Sequence, residues 1–233
     1  MKAFLLAAGL GTRLRPYTEK LPKCLLPIGG IPMLEIWLSL CSKYGISDVL
    51  VNTHAHSAAV ADFFRSWRNG VKVTVVEEPE LFGSAGTLRA NRSWLGEADK
   101  FWVFYADVLT NVNLASMLDS HSPRFAATLG VYSVPDPERC GIVCVNRDKV
   151  VVDFVEKPAV PQSRLAFAGI MIGTRELLDA IPDKRGTDIA YDILPHLIGR
   201  MRAYAIPEFV LDIGTLQNYE AAQKKWLSLT TKE

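Results

Sequence analysis

The sequence is short of cysteine and histidine, has no imbalance of charge and no long apolar run, and each shortage removes a class of protein. The four cysteines, Cys24, Cys41, Cys140 and Cys144, form no C-x-x-C pair, and Cys140 and Cys144 alternate with apolar residues in a strand-like segment. Reduced, structural thiols are expected, with no disulfide framework. Of the four histidines, His54 and His56 would share one side of an extended segment. With no third ligand nearby they fit a loop or a helix start better than a metal centre. The 26 basic and 25 acidic residues leave a formal net charge of +1 without a block of either sign. That argues against a nucleic-acid partner and requires any anionic ligand to be held by local charge. No apolar stretch is long enough to cross a bilayer, and MKAFLLAAGLGTRLRP turns to glycine and charge too early for a cleaved leader. A cytoplasmic protein with no membrane partner is expected.

What is present is 49% hydrophobic content over 233 residues, enough for one substantial core. Lys2 to Ala8 reads as a buried strand delivering a glycine loop. Pro32 opens an amphipathic helix with Leu34, Trp37, Leu38 and Cys41 on one face, ending near Gly45. Strands at 48–52, 71–76 and 101–105 alternate with helices at 56–67 and 84–92. The second half is richer in strands, at 125–132, 141–145, 150–155 and 166–172, with helices at 175–180 and 188–198. A last strand pair at 202–206 and 209–212 precedes a closing helix capped by Thr215. No repeat, linker or low-complexity segment interrupts the series. The expected fold class is α/β, a Rossmann-like mixed, mostly parallel sheet with helices on both faces, in one domain over residues 1–233.

The loop Gly9-Leu-Gly-Thr-Arg-Leu-Arg-Pro16 follows the first strand directly, and Gly9 and Gly11 let backbone amides approach a polyphosphate without Cβ obstruction. A dinucleotide fingerprint lacks its third glycine here, and a Walker A motif lacks its G-K-[ST]. Arg13, and Lys23 in Leu21-Pro22-Lys23, add positive charge to the same loop. Asp107 ends a strand, where open α/β sheets bind ligands.

These residues resemble the sugar-phosphate nucleotidyltransferases, whose signature is G-x-G-T-R-L-x-P followed by P-K. Tyr105-Ala-Asp107, Cys140-Gly141, Glu156-Lys157-Pro158, Ala168-Gly169 and Asp212-Ile-Gly-Thr215 continue the likeness in the order the family shows. Two positions depart from it: Ala106 replaces a glycine, and Ala168 replaces a residue that is often polar. The resemblance implies a nucleotide-binding half at about 1–110 and a sugar-binding half at about 111–233. It implies transfer of a nucleotidyl group from a nucleoside triphosphate to a sugar 1-phosphate, with pyrophosphate released. It assigns Arg13 to the β- and γ-phosphates, Lys23 to the α-phosphate, and Asp107 and Asp212 to Mg2+. Leu6, Ala8, Gly9, Gly11 and Thr12 would line the nucleotide, Lys157 would meet the sugar phosphate, and Glu156, Gly141 and Gly169 the sugar hydroxyls. A homo-oligomer is compatible with the sequence, which specifies none.

The base is addressed by Glu78-Pro79 and the run Gly83-Ser84-Ala85-Gly86. Uridylyl- and thymidylyl-transferring relatives commonly carry glutamine before this proline. A carboxylate only accepts hydrogen bonds, and guanine offers adjacent donors. Glu78, Gly83 and Ser84 therefore resemble the pattern of mannose-1-phosphate guanylyltransferases, with GTP expected and UTP or dTTP as the alternative. A non-catalytic binding subunit is the reading from another class; the intact charged set argues against it.

Overall fold

The computed structural model describes residues 1–68 and 70–230. Strand β1 (Lys2–Leu6) releases the glycine loop, and a small hairpin of β2 (Pro27–Ile28) and β3 (Ile31–Pro32) leads into helix α1 (Met33–Lys43). Then β4 (Asp48–Thr53), α2 (Ser57–Ser66), β5 (Lys72–Glu77), α3 (Ser84–Ala90) and β6 (Lys100–Tyr105) alternate. Short β7 (Val108–Thr110) and α4 (Leu114–Ser120) precede β8 (Ala127–Ser133), β9 (Gly141–Val145), β10 (Val151–Glu156) and β11 (Leu165–Thr174). Helix α5 (Arg175–Asp179), β12 (Met201–Ala205), β13 (Val210–Asp212) and α6 (Leu216–Thr230) follow.

A nine-stranded mixed sheet results. Its first half is the parallel order β5-β4-β1-β6. Antiparallel β11 joins β6 to the second half, where β9 and β10 extend one way, and β8 with its parallel partner β12 the other. Because successive strand residues point to opposite faces, the sheet feeds two cores. Ala3, Leu5, Val49, Val51, Trp102 and Phe104 pack under α1, α4 and α6, and Phe4, Leu50, Phe101 and Val103 pack under α3, α5 and residues 189–197. On the first face the Trp37 ring of α1 stacks on Phe104 with centroids 4.7 Å apart. The expected α/β architecture with helices on both faces is what forms.

Three expectations need correction. The strands at 202–206 and 209–212 do not pair with each other: β12 adds in parallel to β8, and β13 crosses to pair antiparallel with β7. The segment 188–198 is not a regular helix. It is one π-turn, Ile189–Ile193, followed by a 3-10 turn, Leu194–Leu197, because Pro195 has no amide hydrogen and its ring opposes continuation of the α ladder. Helix α4 was not foreseen, although Asn113 caps it by accepting from the Ser116 amide at 3.1 Å. The Thr215 cap does form, with its hydroxyl accepting from the Asn218 amide at 3.2 Å.

Candidate functional site

Parallel strands ending at one edge leave their last backbone groups and the following loops around a crevice. Here the exits of β1, β4 and β6 surround a cavity of about 270 Å³, lined by Leu6, Ala8, Gly9, Lys23, Glu78, Gly83, Ser84 and Asp107 among others. Eight of the residues read from sequence thus meet in one space.

At one rim the glycine loop turns through Gly11, in the left-handed region at φ 62° and packed against Thr18, whose hydroxyl donates to the Gly11 carbonyl at 2.7 Å. A short 3-10 turn, Thr12–Leu14, anchors buried Leu14 and leaves Thr12 and Arg13 exposed. Lys23 is the opposite, a lysine only 8% exposed. Its ammonium is neutralised by Asp107, with Nζ 2.5 Å from Oδ2. Asp107 and Asp212, far apart in sequence, meet through the β7–β13 ribbon. Asp212 is registered opposite Val108, and the Ile213 amide donates to the Asp107 carbonyl at 2.9 Å. Arg13 and Lys23 converge on the same point, since a Cβ at Gly214 would lie 3.2 Å from the Arg13 guanidinium and 3.1 Å from Lys23 Nζ. The Asp212 carboxylate accepts from the Gly214 amide. Its pKa is raised, first by desolvation and then by Asp107, against the pull of Lys23, Gly214 and Arg13. The Asp212 residue nevertheless stays open to water at the rim. Among the described residues no group of three or more His, Cys, Asp or Glu is placed to hold a metal. Two facing carboxylates remain a fit for a hard divalent cation that takes its other ligands from phosphate and water.

Outside the cavity lining, on the far side of Tyr105, β9 and β10 pair Gly141 with Glu156, and a Cβ at Gly141 would come within 2.5 Å of a Glu156 carboxylate oxygen. Only glycine leaves that carboxylate its place. Lys157 then takes a left-handed backbone, φ 50°, which for a residue with a Cβ costs about 1–2 kcal/mol. The turn aims its ammonium at Glu156 Oε1, 3.3 Å away, and over the Tyr191 ring at 5.4 Å from the centroid. The Glu156 pKa is raised by burial in spite of Lys157. Burial opposes the Lys157 charge, but Glu156 and Tyr191 outweigh it and its pKa also rises. Gly169 lies against the side chain of Tyr105, a cavity residue.

Glu78 is 1% exposed and fully engaged on one side. Its Oε1 accepts from Asn52 Nδ2 at 2.8 Å and the Thr87 hydroxyl at 2.5 Å, and its Oε2 accepts from the Phe82 amide at 3.1 Å. The glycine run that follows is tied to the second half of the chain. A Cβ at Gly83 would overlap the Thr187 carbonyl oxygen, and that oxygen accepts from the amides of Ala85 and Gly86. Those amides are therefore occupied. Ser84 donates to Asp188 Oδ2 at 2.7 Å, while Asp188 Oδ1 accepts from Ala190 and Tyr191. Sequence reading missed Asn52, Thr87, Asp188 and Tyr191. Only Asp188 carried a local signal, as a cap residue at the start of an apolar segment.

The remaining polar candidates are structural. His54 Nδ1 lies 2.8 Å from the Glu78 carbonyl, and His56 starts α2 from a left-handed backbone. All four cysteines are free, and burial pushes Cys24 and Cys41 up to about 12.

A parallel-edge crevice flanked by a glycine loop, two cations and two carboxylates is thus what this α/β fold presents. The chain belongs to the nucleotidyl transferase family, whose profile matches residues 2–228. Among its relatives are the mannose-1-phosphate guanylyltransferase of Mycobacterium tuberculosis, 32% identical over 93% of this chain and 62% of that protein, and mannose-1-phosphate guanylyltransferase 1 of Arabidopsis thaliana, 30% identical over 100% and 66%. The chain thus spans slightly less than two thirds of the length of these relatives. Among solved structures, one from Bacillus anthracis assigned as a glucose-1-phosphate thymidylyltransferase matches with TM-score 0.88 and 26% identity, covering 96% of this chain and 94% of that one. HddC from Yersinia pseudotuberculosis with GMP-PN shares the fold at TM-score 0.82 and 23% identity, over 97% and 99% of the two chains. No helix among the described residues is long and apolar enough to cross a membrane.

Proposed function

We propose that this chain, as a single cytoplasmic nucleotidyltransferase domain, joins a sugar 1-phosphate to GTP and releases pyrophosphate, the sugar being mannose or a related one such as a heptose. The observation that carries the reading is the convergence of Arg13, Lys23, Asp107 and Asp212 on one rim of a cavity that Glu78 also lines. A sugar-phosphate oxygen attacks the α-phosphorus and pyrophosphate leaves in line, so no protein nucleophile is required. Catalysis then consists of positioning two polyanions and neutralising their charge. Arg13 grips the outer phosphates; Lys23, prepaired with Asp107, turns its charge to the α-phosphate. Asp107 and Asp212 would hold a divalent cation, Mg2+, which would offset charge developing on the phosphates. Lys157 receives the sugar phosphate, and Glu156 accepts from sugar hydroxyls beside Gly141 and Gly169.

The base reading rests on donor and acceptor chemistry. Oε2 of Glu78 keeps one acceptor position, which suits the N1–H or 2-amino group of guanine and repels the acceptor face of adenine N1. The guanylyltransferase relatives support the same choice. Pyrophosphate release from GTP, UTP, dTTP and ATP, each with several sugar 1-phosphates and Mg2+, tests both halves. Turnover with UTP or dTTP alone would sink the guanine assignment. GTP binding without pyrophosphate from any sugar would instead mark a regulatory subunit.

A further inference from the structure

Asn52, near the end of β4, is 4% exposed and uses three of its four hydrogen-bonding positions inside the protein. Its Oδ1 accepts from the Ala7 amide at 2.7 Å, where β1 gives way to the phosphate loop. Its two amide protons go to Glu78 Oε1 at 2.8 Å and Thr87 Oγ1 at 3.0 Å. The Thr87 hydroxyl lies 2.5 Å from the same Oε1 and 3.1 Å from the Gly83 carbonyl, and its one proton goes to the nearer, charged acceptor. A buried carboxylate without a cation is unfavourable unless hydrogen bonds replace its hydration. Among the described residues Glu78 forms no ion pair, so this neutral network carries that load. It is also lopsided, since Oε1 holds both of the bonds its lone pairs accommodate and Oε2 holds only the Phe82 amide.

We infer that Asn52, seconded by Thr87, is a positioning residue for base recognition: it saturates Oε1 of Glu78, leaves Oε2 as the single acceptor offered to the base, and ties that acceptor to the phosphate loop through Ala7. The inference rests on the guanine reading above. If Oε1 loses Asn52 or Thr87, the carboxylate regains a second acceptor position and rotational freedom, and its register with the base is lost. The Ala7 link adds that the phosphate loop and the base reader move as one unit, so their spacing matches a nucleotide of fixed length.

The test compares GTP with ATP, UTP and dTTP in the wild type, and GTP with ATP in Asn52→Ala, Asn52→Asp, Thr87→Val and Thr87→Ser, following kcat and KM for nucleotide and for sugar phosphate separately, with melting temperature as a control. Asn52→Asp keeps the acceptor for Ala7 and replaces the donors by a second carboxylate beside Glu78, so it removes the bonds to Oε1 and adds like-charge repulsion there. Thr87→Val removes the hydroxyl in case Asn52 variants fail to fold. Loss of one hydrogen bond to a charged group predicts that preference for GTP over ATP falls by about tenfold in Asn52→Asp and Thr87→Val. The loss should appear in KM for GTP, with KM for sugar phosphate unchanged and Thr87→Ser restoring the preference. Variants that melt earlier yet keep the wild-type GTP:ATP ratio would overturn the positioning role and leave the guanine reading standing. A wild type that prefers a pyrimidine triphosphate would overturn the guanine reading and this inference with it.

Discussion

Lys23 and Lys157 each stand beside a carboxylate at the rim of the site, yet their surroundings differ sharply. The Lys23 side chain is 10% exposed and lies 2.5 Å from Asp107, whereas that of Lys157 is 53% exposed and lies 3.3 Å from Glu156. Lys23 is held by a buried 3-10 turn on the parallel half of the sheet. Lys157 hangs from a left-handed turn at the end of β10, in the antiparallel half. A charge fixed by burial is preorganised, which suits a group that never varies, such as the α-phosphate of the proposed reaction. A charge left in solvent can follow substrates of different shape. Under the proposed function the buried lysine would serve the step common to all substrates, and the exposed one the sugar that varies.

The strongest way to break that contrast is to remove the buried charge. Lys23→Ala or Asp107→Ala should lower kcat by about 10²–10³-fold with the fold retained, checked by steady-state pyrophosphate release beside circular dichroism. A loss of only a few-fold would mean that the buried pair is mainly structural. Lys157→Ala should act next most strongly and in a different parameter, raising KM for the sugar phosphate by about tenfold while KM for the triphosphate stays put. Equal effects on both would erase the division between the halves. The third test is acidity. Burial raises the Glu156 pKa, so its acceptor carboxylate is lost at a higher pH than for an ordinary glutamate. KM for the sugar phosphate should therefore climb as pH falls through that raised value, and Glu156→Gln should flatten the profile. The linked stability runs the other way: ionised Glu156 is unfavourable in the fold above its raised pKa, and the penalty disappears below the unfolded value. Glu156→Gln should thus melt later at neutral pH and no later in acid. The smallest effect belongs outside the site, where Asn113→Ala should remove the α4 cap at a cost of about 1 kcal/mol, a shift of roughly 2–4 °C in melting temperature with kcat unchanged.

The parallel half was largely legible before the fold was known. Its strands are continuous apolar runs, and Gly9, Gly11, Arg13 and Lys23 stand close together in sequence. Distance hid the rest. β7 and β13 are three residues each, too short for a periodicity signal, and nothing local in Val108–Thr110 names Val210–Asp212 as its partner. Asn52 looked like an ordinary strand end, because its role depends on Ala7, Glu78 and Thr87 arriving from three other segments. Asp188 was placed at the head of a helix, and it does cap a turn; that the turn is π-type and clasps Ser84 follows from Pro195 and from tertiary contact.

The ribbon of β7 and β13 also imposes an order in time. A chain leaving the ribosome exposes its glycine loop, Lys23 and Asp107 first, and Asp212 emerges only after roughly 100 further residues, about 5–20 s later at ordinary synthesis rates. Until β13 docks on β7, Asp107 stands without Asp212 beside it, so the pair of carboxylates is the last part of the crevice to be assembled.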